Sequence, residues 1–255
     1  METRGSGRSV TMRDILQRLG RGLADTGFPP VCVDCGGLVE GGPLRHVCAR
    51  CAPLLVRVVP PHCLTCGHPF YGELAGPQMC GHCAALEPAY REGRTVVLLK
   101  GPARALVHEL KYHRGLHVLA DIETLAREAA HVMELVRGAV LVPVPLHPRK
   151  ERRRGYNQAA LIAGMLARAA GGGTRVEPLL RRVADTATQT HFDRATRREN
   201  LKNAFAIARG AAPNPAQHHI LVDDVFTTGS TLNSCARELR RAGCLKLDVV
   251  TFGHG

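Results

Sequence analysis

The chain has 255 residues, of which 45% are apolar, 22% charged and 4% aromatic, with no Trp. That balance excludes a disordered or collagen-like chain and is enough for a packed core in one large domain or two smaller ones. The net charge of +12 rests on 29 Arg and five Lys against 22 acids; it argues for an anionic partner without naming one, and a GC-rich genome produces the same Arg excess.

Residues 1–27 form an N-terminal segment. Within it, Met12, Ile15, Leu16, Leu19 and Leu23 fall at helical spacing, with Arg13, Arg18 and Arg21 off the stripe. The pattern predicts a short amphipathic helix that packs on its own protein or lies on a membrane surface. Residues 1–10 are polar and lack the apolar centre of a secretory signal. No run approaches the roughly 18–20 apolar residues of a membrane span. A cytoplasmic location is the expectation.

Residues 28–90 are rich in Pro, Gly, Cys and His and show little periodicity, so no packed apolar core is expected there. Eight of the ten cysteines lie here, in two similar units. The first is Cys32-x2-Cys35, then Cys48-x2-Cys51; the second is Cys63-x2-Cys66, then Cys80-x2-Cys83. A Cys-x-x-Cys turn aims two thiolates at one ion, and two such knuckles complete a tetrahedron. The spacing is that of a double zinc ribbon with two structural zinc sites, closed to catalysis. Disulfides or a single redox pair explain four evenly placed pairs less well. Pairing within each unit is the first choice, with an interleaved pairing left open. His46, His62, His68 and His82 are alternative ligands nearby.

From residue 91 to 255 the pattern is ordinary α/β. Strands are expected over 95–99, 139–144, 219–225 and 246–252, and helices over 102–111, 116–135, 157–170 and 230–242. Strands alternating with helices argue for an open, mostly parallel sheet with helices on both faces. Cys235 falls on the apolar side of its helix and reads as core.

The sharpest feature is the run from Ile220 to Leu232. An apolar strand ends in Asp223 and Asp224. The loop Thr227, Thr228, Gly229, Ser230 and Thr231 follows and opens a helix. Successive backbone N–H groups and a helix N-terminus make an anion site there, at the strand end where parallel sheets bind ligands. Two acids would repel a bare phosphate. They suit a ligand that also carries a diol or a metal, such as a ribose 5-phosphate.

This segment resembles the phosphoribosyl-pyrophosphate (PRPP) motif of type I phosphoribosyltransferases. Together with the stretch from Val142 to His147, Arg154-Gly-Tyr-Asn-Gln158, Gln189-Thr190, Arg197-Arg-Glu-Asn-Leu201 and Ala204-Phe205, it resembles the ComF family, whose members often carry N-terminal zinc ribbons. The resemblance spans about residues 28–255. It implies a type I phosphoribosyltransferase fold behind the double zinc ribbon. Asp223 and Asp224 would hold the ribose hydroxyls, and the 227–231 loop the 5-phosphate. The turn containing Pro143 and Val144 would occupy the place of the pyrophosphate loop, with Arg149, Arg154, Arg197 and Lys202 supplying positive charge. The stretch 184–203 would match a flexible hood. Leu110-Lys-Tyr112 also matches, with no role assigned to Lys111.

The implied chemistry is displacement at ribose C1 with Mg²⁺ bound through the substrate phosphates, transferring phosphoribosyl to an unidentified acceptor, in competence and DNA uptake or in nucleotide metabolism. The alternative is a non-catalytic accessory of natural transformation that binds PRPP, single-stranded DNA and competence-machinery proteins. Two four-thiolate zinc sites, each −2, would lower the +12 to near +8. Arg149, Lys150, Arg152, Arg153 and Arg154 concentrate much of the remainder beside the expected cleft, or form a solvated charged face.

Overall fold

The structure, a computed structural model, describes residues 29–72, 76, 78–183 and 204–255. The expected N-terminal helix, Arg197, Lys202 and the rest of the hood stretch lie outside the described residues.

The centre is a five-stranded, fully parallel sheet. Its strands are β1 (Gly93–Leu98), β2 (Val140–Pro143), β3 (Arg175–Val176), β6 (His219–Phe226) and β7 (Leu247–His254), in spatial order β1-β7-β6-β2-β3. β2 and β7 are buried along their whole length, and β2 accordingly runs apolar without alternation, whereas β7 also buries Asp248, Thr251 and His254. A separate antiparallel pair, β4 (Leu180–Arg182) with β5 (Phe205–Ile207), was not foreseen: three-residue strands are too short to show a period.

Helices cover both faces. α1 (Gly101–Tyr112), α2 (Leu119–Glu128), α3 (Ala130–Val136) and α5 (Gln158–Ala170) share one core with Val96, Leu141, Ile220, Val222, Val250 and Phe252. α6 (Ser230–Arg241) packs Leu232, Cys235, Ala236 and Leu239 on the other face, against Val140, Val142, Leu221 and Val249. Cys235 is fully buried, as its position on the helix implied. Asn157 caps α5 by accepting from the Ala159 N–H at 3.0 Å, and Gly171 ends it.

Two expectations are corrected. The single helix over 116–135 is a 3-10 turn, α2 and α3, broken at Ala129, whose ψ of 78° is not helical. The break turns α3 so that Val132 and Val136 are buried while His131 Nε2 lies 3.1 Å from the Thr95 carbonyl. The basic run after β2, over which no helix was expected, is helical. It forms α4 (Pro148–Arg154), started by Pro148 and the His147 side chain and closed by Gly155 at φ 92°.

The Cys-rich segment also differs from expectation, because it does bury apolar side chains. Leu44, Val47 and Leu55 join the core beneath α1 and α2, whereas Leu86 and Tyr90 join the core beneath α6. The two ribbons therefore pack on opposite faces of one sheet. Between them, the Val58 N–H donates to the Val96 carbonyl at 2.9 Å, and the Leu98 N–H donates to the Val56 carbonyl at 2.8 Å. Residues 56–58 thus cover the exposed edge of β1 in antiparallel sense.

Candidate functional site

Two sets of cysteines converge. The Sγ atoms of Cys32, Cys35, Cys48 and Cys51 lie within 4.8 Å of one another, as do those of Cys63, Cys66, Cys80 and Cys83. The Cys35–Cys48 and Cys66–Cys80 Sγ separations are 3.6 and 3.7 Å. A zinc tetrahedron with Zn–S bonds of about 2.3 Å needs sulfurs about 3.8 Å apart. The donor sets fit the ion, pairing is within each unit, and no histidine completes either set. Neither set leaves a ligand position for chemistry.

The second candidate is a cleft of about 300 Å³ at the C-terminal end of the sheet. Strand β6 delivers the acids. Successive strand residues face opposite sides, so Asp223 lies beside Thr251 of β7 on the α6 side, whereas Asp224 meets α1 on the other. Both line the cleft with Lys111, Val144, Gln158, Arg182, Thr227 and Thr231. Lys111 Nζ is 2.8 Å from Asp224 Oδ1. The other oxygen, Asp224 Oδ2, is buried without a hydrogen-bond partner. Burial, and then the negative charge of Asp224, push the Asp223 carboxyl up to about 7; Lys111 opposes this.

After β6 the chain turns through 227–229 into α6. Gly229 has φ +70°, and a Cβ there would lie 2.5 Å from Phe226 Cζ and 2.8 Å from Leu86 Cδ2. Only glycine fits that conformation and that space. Thr228 Oγ1 donates to Ser230 Oγ at 3.0 Å, which orders the loop ahead of the helix. The loop therefore offers N–H groups and hydroxyls beside two carboxylates, one with an unsatisfied oxygen. This suits a ligand that brings an anionic end, hydroxyl donors and a cation.

The remaining expected residues fall as follows. Val144 lines the cleft, and Pro143 ends β2 just before it. Arg154 bonds the Gln158 side chain, itself part of the lining. Arg149 sits exposed in the first turn of α4 and is not part of the lining. Lys111, Gln158 and Arg182 enter the cleft without having been assigned to it. The Leu-Lys-Tyr motif marked Lys111, but only the position of α1 against β6 shows what it touches.

Comparison with known proteins agrees with the paired cysteine sets. A family model described as a double zinc ribbon domain matches residues 23–84. Competence protein F of Haemophilus influenzae is 32% identical over 227 residues, covering 86% of this chain and 94% of that protein. The DNA utilization protein YhgH of Salmonella typhi is 34% identical over 80% of this chain and 86% of its own. Competence protein ComFC of Bacillus subtilis is 25% identical over 79% and 80%.

Proposed function

Because the chain belongs to the ComF family of competence and DNA utilization proteins, we propose that it serves DNA uptake or utilization by binding PRPP with Mg²⁺ and transferring phosphoribosyl to an acceptor. The observation that carries this reading is the acid pair Asp223–Asp224, with Asp224 salt-bridged to Lys111 and the pair followed at once by the Gly229 loop.

In this reading the 227–231 loop binds the 5-phosphate through backbone N–H groups, Thr227 and Thr231. Asp223 and Asp224 accept from the ribose 2- and 3-hydroxyls, at about 1.5–3 kcal/mol for each charge-assisted bond. Their negative charge also favours the positive charge that builds on the ring as the C1–O bond to the leaving group lengthens. Mg²⁺, bound mainly through phosphate oxygens, would offset the charge of the departing diphosphate. Lys111 keeps the acid pair from repelling the ligand before it arrives, and Arg182, Gln158 and Arg154 close the side on which the diphosphate would lie. The acceptor brings the electron pair that replaces the leaving oxygen at C1. The chain supplies position and charge rather than a nucleophile.

Isothermal titration with PRPP and Mg²⁺ tests the reading. The wild-type chain is expected to bind, and Asp223→Asn to lose most of the heat; heat unchanged in the variant would sink the proposal. Pyrophosphate release is then measured against bases, amines and single-stranded DNA, since the names of the relatives point to DNA. Binding without release in every case leaves a PRPP-binding accessory and removes the transferase. A DNA partner would further show affinity that falls steeply between low and physiological salt.

A further inference from the structure

The two zinc ribbons are alike in sequence but not in what they touch. The first packs under α1 and α2, on the face away from α6. The second abuts the ligand loop. Three residues beyond Cys83, Leu86 presses on Gly229 together with Phe226. Asn233, one turn into α6 and buried, donates from Nδ2 to the Leu86 carbonyl at 3.0 Å and to the Glu87 carbonyl at 3.2 Å, and accepts from the Ala89 N–H at 2.7 Å. All three of its bonds clamp the tail of the second ribbon to the helix that the loop opens. The knuckle itself is seated as closely. A Cβ on Gly93 would lie 2.2 Å from the Thr65 carbonyl oxygen, and one on Gly67 would lie 2.6 Å from the Thr95 nitrogen. Thr95 donates to the Cys66 carbonyl at 2.9 Å and lies 2.8 Å from Thr251 Oγ1, in the row that continues to Asp223. His68 stacks edge-on against His254, which stacks on Phe226.

We infer that the second zinc ribbon is a structural wall of the ligand loop, and that Leu86 and Asn233 are positioning residues through which zinc in that site, and not in the first, sets the shape of residues 227–231. The inference rests on the reading of that loop as the ligand site. It makes zinc in the second ribbon and ligand in the cleft thermodynamically linked, each tightening the other.

Hydrogen exchange at residues 227–231, read on the zinc-loaded full chain with no ligand and with zinc counted on the same samples, is the test. Asn233→Ala and Leu86→Ala are expected to keep two zinc ions per chain and to raise exchange there about tenfold. Affinity for PRPP–Mg²⁺ is expected to fall by a similar factor, about tenfold. Leu86→Val, which only shortens the side chain that contacts Gly229, gives a milder form of the same change should the alanine variants fail to fold. Asp121→Ala, which loosens only the first ribbon, is expected to leave exchange at 227–231 within about twofold. Unchanged exchange in the Asn233 and Leu86 variants, or an equal rise in Asp121→Ala, overturns the inference. Exchange is read without ligand, so a wild-type chain that binds no PRPP refutes the ligand reading alone.

Discussion

At Gly229 one hydrogen atom decides whether the loop exists. The left-handed φ of +70° costs any other L-residue about 1–2 kcal/mol. A Cβ would also strike the Phe226 ring and Leu86. Gly229→Ala is expected to weaken PRPP–Mg²⁺ binding by about tenfold or more while both zinc ions are retained, as titration and metal analysis would show. Asp223 carries a different kind of cost. Its folded carboxyl titrates at about 7, raised first by burial and then by Asp224, against about 3.9 in an unfolded chain. Between those values the unfolded chain releases a proton that the folded chain keeps, so stability falls as pH rises through the window and the loss is complete above it. Asp223→Asn is therefore expected to melt at a higher temperature than wild type at about pH 8, with the gap closing toward about pH 4. Melting curves at the two pH values check this.

Among the elements, what was legible in the sequence and what was not divides on physical grounds. The Asp223–Asp224 strand, the 227–231 loop and the Cys-x-x-Cys knuckles are local, since their chemistry lies within a dozen residues. The contacts of Lys111 with Asp224 and of Asn233 with Leu86 cross 113 and 147 residues, and no local pattern encodes them. The basic run 148–154 misled because charge hid a helix whose start lies in His147 and Pro148 and whose stop lies in Gly155. The docking of the first ribbon is another long-range device. Asp121, on α2 and buried, accepts from the Arg45 and His46 N–H groups at 2.8 and 2.7 Å. Removing that carboxylate strands two donors, and Asp121→Ala is expected to cost about 3 kcal/mol in denaturant unfolding. A cost below about 0.5 kcal/mol would show that the ribbon docks by its apolar residues alone.

For the whole molecule, the ribbons are not an appendage, because each contributes side chains to one of the two cores and the link between them covers β1. Residues 91–255 expressed alone are expected to aggregate, and chelation of zinc from the full chain to lower its melting temperature in one cooperative transition, by light scattering and calorimetry. A soluble, normally melting fragment would show the sheet to be self-sufficient. None of the helices among the described residues is long and apolar enough to cross a membrane. The covering of β1 by residues 56–58 also bears on how the protein is made. The ribosome releases the ribbons before the sheet, so their cysteines meet the cell's zinc before β1 emerges. A chain that has captured its metal meets β1 with a strand already waiting. A chain made during zinc starvation brings β1 out bare, and quality control would then read metal scarcity as a misfolded protein.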